Sequence, residues 1–121
     1  MGCTKTNVIV LDFDGVINKY PGWEGEGFHV IRGGPVPGAK EAIEALRRSG
    51  RTVLISSVRC GHEGGEIAIW EYLKKHGIVV DGVCRRKPPA DFYVDDKAIQ
   101  FKGNWDQLLY DIVNFKHWED E

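Results

Sequence analysis

The chain reads as an α/β protein built on a parallel sheet with helices on both faces, and three observations predict this. Short aliphatic runs alternate along the chain with longer amphipathic stretches. The runs are continuously apolar and rich in β-branched residues, as in strands buried on both sides. Polar residues then cluster at the end of each run, the edge at which open α/β sheets bind ligands. At 121 residues the chain suits a single domain, 1–121, with one core.

The first strand is Val8-Ile9-Val10-Leu11, followed by Asp12-Phe13-Asp14-Gly15. Residues 18–38 are rich in Gly, Pro and aromatics and read as a flap or hairpin insertion. Within it Phe28-His29-Val30-Ile31 is a candidate short strand and Gly33-Gly34 a turn. A helix follows Pro37-Gly38, with Ala39, Ala42, Ile43 and Leu46 at helical spacing and Gly50 as its stop. Thr52-Val53-Leu54-Ile55-Ser56 is the second strand. The spacing predicts a second helix over 63–76, burying Ile67, Trp70 and Leu73 and stopping at Gly77. Gly82-Val83-Cys84-Arg85 fits a third strand, Asp91-Phe92-Tyr93-Val94-Asp95 a fourth, and Ala98-Ile99-Gln100-Phe101 a short edge strand. The last helix starts near Asn104 and carries Trp105, Leu108, Leu109, Ile112 and Val113 on one side. The acidic tail Glu119-Asp120-Glu121 is expected to fray.

Composition narrows the function classes. A net charge of −2 gives no electrostatic reason to expect nucleic-acid binding, although Arg85-Arg86-Lys87 is basic enough to hold a phosphate. No apolar run is long enough to span a bilayer, and no signal-peptide pattern opens the chain. The opening Met1-Gly2-Cys3 matches a myristoylation signal in form, but the first strand follows too closely for a membrane-reaching arm. Cys3, Cys60 and Cys84 lack metal-site spacing and read as free thiols of a reducing, cytoplasmic compartment. Cys60 and His62 would give zinc two ligands, with no further partners evident.

Asp12 and Asp14, at i and i+2, point to the same side of an extended chain. Two like charges there repel unless a cation or a shared proton offsets them, and Mg²⁺ is a hard ion that seeks oxygen ligands. Ser56 and Ser57 follow the second strand, Lys87 the third, and Asp95-Asp96 the fourth. Together they form a set able to bind a divalent cation and a phosphate. Arg59 and His62, just past the second strand, are candidate substrate contacts.

This ordered set resembles the haloacid dehalogenase (HAD) superfamily, whose members are mostly phosphotransferases, and the likeness covers nearly the whole chain. Asp12-Phe13-Asp14-Gly15-Val16 is similar to its first motif, Ser56 to its second, Lys87-Pro88 to its third, and Tyr93-Val94-Asp95-Asp96 to its fourth. The resemblance implies a three-layer sandwich on a Rossmann-type sheet. It also implies a Mg²⁺-dependent phosphomonoesterase working through an aspartyl-phosphate. Asp12 would be the nucleophile and Asp14 the general acid and base. Mg²⁺ would be held by Asp12, the main-chain carbonyl of Asp14, and Asp95 or Asp96; Ser56, with Ser57 as fallback, and Lys87 would hold the phosphoryl oxygens.

Where many relatives insert a cap, this chain has only the flap and a single helix, so a capless member is expected. An open site suits a large substrate or needs an oligomeric neighbour to cover it. The expected partner is a small phosphorylated substrate. A phosphatase acting on nucleic-acid ends or nucleotides is an alternative within enzymes. A receiver-type phosphoacceptor module is the main rival from another class. Motif order separates the two, because a receiver places its acidic pair first and its lysine last.

Overall fold

The computed structural model describes residues 7–23 and 25–116. Cys3, the myristoylation-like start and the acidic tail lie outside the described residues. Four strands, β1 (Val8–Asp12), β2 (Thr52–Ser56), β3 (Gly82–Cys84) and β4 (Phe92–Val94), form one sheet in the order β3-β2-β1-β4. Every pairing is parallel, so the α/β class and the central parallel sheet are as the sequence predicts. Helix α1 (Ala39–Arg48) joins β1 to β2, and α2 (Gly65–His76) joins β2 to β3. The chain steps outward from β1 to β3 and then returns to β1's other side as β4. Strand order therefore reverses between β1 and β4, and the crevice at their carboxyl ends is where such sheets take ligands.

Alternation along β1 decides where the core sits. Ile9, Leu11 and then Phe13 face one side and meet Val53 and Ile55 of β2, Ile43 of α1, and Ile69 and Leu73 of α2. Both helices thus cover one face of the sheet, as right-handed crossovers running in one direction require. Asp81, just before β3, accepts from the Val53 amide at 2.8 Å and from Arg47 at 3.1 Å, fastening α1 to β2. Those bonds hold its carboxyl below the usual range.

Helix α2 differs in start and in rotation from the sequence expectation. It begins at Gly65 and buries Ile69, Tyr72 and Leu73, while Ile67 is 64% and Trp70 41% exposed. The reason is a close approach that only glycine permits. A Cβ on Gly65 would stand 1.8 Å from the carbonyl oxygen of Arg59. Gly65 must therefore face inward, and residues four, seven and eight positions on follow it.

Gly65→Ala is expected to destabilise the protein. Helix propensity alone favours alanine by about 1 kcal/mol. The clash is with backbone that cannot swing aside, and overpacking of this kind costs about 1–3 kcal/mol. Urea unfolding should show a lower midpoint at unchanged slope; a higher midpoint would contradict the packing described.

Other differences are local. Phe28-His29-Val30-Ile31 forms a turn and coil, not a strand, and Ala98-Ile99-Gln100-Phe101 is likewise not a strand. The flap is pinned at its base by Asn18, which is fully buried and donates to the Arg32 carbonyl at 2.8 Å. Helix α3 (Trp105–Val113) is capped by Asn104, whose side chain accepts from the Gln107 amide, but it buries no residue. Its Trp105, Leu109, Ile112 and Val113 are exposed, as are Phe92, Tyr93 and Val94 of β4. A three-residue edge strand offers little surface to pack against, so the face of α3 expected to be apolar does not join the core.

Candidate active site

Register brings the separate signals together. Asp12 pairs with Ser56, and Ser56 with Cys84, across β1, β2 and β3. On the other side Leu11 pairs with Val94, so Asp95 follows at the level of Asp12. Asp12 and Ser56 lie on the face opposite Leu11 and Ile55, side by side at the carboxyl edge. The resulting cleft has a volume of about 450 Å³, and Asp12, Asp14, Ser56, Ser57, Asp95 and Asp96 line it. A hollow of about 490 Å³ beside the end of α1 holds the Arg47–Asp81 ion pair but no comparable carboxylate cluster.

Among the described residues, Asp12, Asp95 and Asp96 form the one group of three metal-ligating side chains, their ligand atoms within 4.8 Å of one another. An octahedral ion with bonds of about 2.1 Å spaces its ligand oxygens about 3–4 Å apart, so small side-chain rotations would close the set. Hard oxygen donors of this kind fit a hard divalent cation. Electrostatics point the same way. The Asp12 carboxyl is pushed up to about 6, first by burial and then by the charge of Asp95, with Asp96 and Asp14 adding to it. The Phe13 amide, donating to Asp12 Oδ1 at 2.9 Å, opposes the rise. Such a cluster is short of positive charge.

The glycine of the Asp12-Phe13-Asp14-Gly15 string has a steric task. Its φ is +87°, and a Cβ there would stand 2.2 Å from Asp96 Oδ2. Gly15 thus lets the Asp96 carboxylate lie against the turn that follows β1. Asp95 is fixed differently: Oδ1 accepts from the Lys97 amide at 2.8 Å, and Oδ2 faces Lys87 Nζ at 3.6 Å. Lys87 also lies 5.8 Å from the centre of the Tyr93 ring. Cations therefore adjoin the carboxylates in this cleft, which Arg85 and Lys97 line together with Lys87.

Not every expected site residue has the surroundings its sequence position suggests. Ser56 and Ser57 are both buried at the cleft, but the Ser57 hydroxyl accepts from the Arg59 amide at 3.2 Å and caps the 3₁₀ turn Val58–Gly61. Asp14 stands outside the three-carboxylate group, its Oδ2 accepting from Arg59 Nε at 2.7 Å. Arg59, expected as a substrate contact, is 2% exposed and spends its guanidinium on protein atoms. His62 is likewise engaged elsewhere, stacked on Phe28 of the flap with ring centres 3.7 Å apart. Arg85, of the basic run Arg85-Arg86-Lys87, lines the cleft as well, and so do Tyr20 and Lys97, which were not singled out from sequence. Lys97 follows the Asp95-Asp96 pair directly, the one available signal for it.

No protein-family model matches the chain, and no curated protein matches it. Among solved structures, a conserved protein from Bacteroides thetaiotaomicron is similar over 93% of this chain and 94% of its own, with a TM-score of 0.59 and 24% identity. The D,D-heptose 1.7-bisphosphate phosphatase of B. bronchiseptica, solved with magnesium and phosphate, aligns with 73% of this chain and 53% of its own. Its TM-score is 0.45 and its identity 23%. The fold is thus that of an open parallel α/β domain found in other proteins. Its switch-point crevice carries an acidic cluster that could bind a metal ion. Among the described residues, no helix is long and apolar enough to cross a membrane.

Proposed function

We propose that the protein is a Mg²⁺-dependent phosphohydrolase that cleaves phosphate monoesters through a covalent aspartyl-phosphate on Asp12. The observation that carries this reading is the cleft's mixed lining of carboxylates and cations. Asp12 stands among carboxylates at the switch point, in a cleft that Lys87, Arg85 and Lys97 also line. A phosphate monoester needs both kinds of group: cations for its oxygens, and a nucleophile whose own charge is offset.

Asp12, Asp95 and Asp96 would hold the ion, with the main-chain carbonyl of Asp14 as a further ligand. When bound, Mg²⁺ offsets the negative charge of the carboxylates and of the phosphoryl oxygens. Lys87 and Ser56 orient the phosphoryl group. An Asp12 oxygen attacks phosphorus in line as the bond to the leaving oxygen breaks, and Asp14 gives that oxygen a proton. Water then attacks the aspartyl-phosphate, Asp14 takes its proton, and phosphate leaves with Asp12 restored. So open a cleft leaves contact with substrate beyond the phosphate to be supplied. It would come from the substrate's own bulk or from a second copy of the chain.

The experiment is phosphate release from sugar phosphates, nucleotides and 3′-phosphorylated oligonucleotides, each with Mg²⁺ and with chelator. Release from one class, lost in chelator, is expected. No release from any of them with Mg²⁺ present would overturn the reading.

A further inference from the structure

Arg59 stands at the centre of an arrangement that its sequence position does not announce. Nε donates to Asp14 Oδ2 at 2.7 Å and Nη2 to Asp14 Oδ1 at 3.2 Å. Nη1 donates to the carbonyls of Phe28 at 2.8 Å and Val30 at 2.9 Å. One planar fork therefore holds both oxygens of Asp14, and the fork is itself held by the flap. The backbone of Arg59 is fixed as well. Its amide is bonded to Ser57 Oγ, and its carbonyl lies against Gly65, where there is no room for a Cβ. Outside the fork, the flap is seated by the stack of Phe28 on His62 and by Trp23 on Phe28 at 4.8 Å between ring centres.

We propose that Arg59 is the positioning residue for Asp14, and that seating of flap residues 28–30 is a condition for Asp14 to stand correctly at the reacting atoms. The inference rests on the phosphohydrolase reading, in which Asp14 moves a proton to the leaving oxygen and later takes one from water. A carboxylate has about four acceptor sites; the two bonds to one fork fix its plane and, with Asn18 Nδ2 also donating to Oδ1 at 3.4 Å, a lone pair of Oδ2 is left for that proton. The bond to Phe28 and the bond to Val30 stop the guanidinium from turning about its own axis. Lysine could match the charge but not the plane. Misplacing a catalytic group by about 1 Å costs about a hundredfold in rate.

The test is a cycle of kcat and KM for p-nitrophenyl phosphate with Mg²⁺ in wild type, Arg59→Lys, Asp14→Asn and the double variant. Turnover of this substrate still needs Asp14 for hydrolysis of the intermediate. Arg59→Lys is expected to lower kcat about 10–100-fold with KM changed less than about twofold. In the Asp14→Asn background the same change should cost less than about twofold, because its partner is already gone. An equal loss in both backgrounds would overturn the proposal, since Arg59 would then serve the fold alone; an unchanged kcat would overturn it too.

Phe28→Ala, which keeps Arg59 and Asp14 but removes the ring that seats the flap, is the second variant. A loss of about 3–10-fold confined to the Asp14 background supports the link, and an equal loss or none overturns it. Wild type releasing no phosphate is a separate result, the failure of the phosphohydrolase reading, and is seen before any variant is made.

Discussion

Asp12→Asn is expected to abolish turnover while making the metal-free protein more stable. Both effects come from the same carboxylate. An amide cannot attack phosphorus, and loss of a nucleophile lowers kcat by about 10⁴-fold or more. In the metal-free fold that carboxylate is half-buried beside Asp95 and Asp96, its proton affinity raised to about pH 6. Asparagine keeps the shape and removes the charge. A group that serves chemistry at a cost to the fold is what functional sites commonly show. Thermal unfolding in chelator at pH 7.5 should give a higher Tm for Asp12→Asn than for wild type. A lower Tm would mean that the cluster does not strain the fold.

Removal of metal is expected to have the next largest effect, and its pH dependence follows from the same residue. The native Asp12 holds its proton up to about pH 6, against an ordinary value of 3.8. The native state thus binds more protons than the unfolded chain between those limits, so this group's contribution to stability falls as pH rises through the window. Above about pH 6 the whole cost is present. The Tm difference between Asp12→Asn and wild type in chelator should therefore grow from pH 4 to pH 6 and then level off.

Mg²⁺, held by the ionised cluster as proposed, should reverse the trend. At a concentration a hundredfold above its Kd it would add about 2.7 kcal/mol. Activity should vanish in chelator and return with Mg²⁺, and Ca²⁺, with its longer and looser coordination, should restore little of it. Asp95→Asn and Asp96→Asn should weaken metal affinity unequally, because adjacent side chains project in different directions and do not meet one ion alike. Full turnover in chelator would contradict the metal's role.

The parts of this molecule that sequence makes legible are those set by local pattern. The β1 run and the Asp12-x-Asp14-Gly15 turn declare themselves, and so do the polar residues that end β2 and β4. Their convergence at one edge follows from parallel topology. What sequence hides is set by contacts distant along the chain. The rotation of α2 depends on Gly65 meeting the Arg59 carbonyl. The apolar Phe28-His29-Val30-Ile31 run has strand composition, yet two of its carbonyls bond a guanidinium instead of a neighbouring strand. Arg59 reads as a loop cation open to substrate because charged side chains seldom bury; its partners, Asp14 and the flap, lie far off in sequence. His62 is drawn from the cleft by an aromatic ring that no local pattern pairs with it.

The central claim is that phosphoryl transfer passes through Asp12, and the most direct test is to find the phosphoryl group. In Asp14→Asn, p-nitrophenyl phosphate needs little protonation to expel its leaving group, so the intermediate should form faster than water removes it. Rapid quenching, borohydride reduction and peptide mass spectrometry should then place the modification on Asp12. A phosphoryl group on Ser56 or His62, or none with any leaving group, would contradict the account.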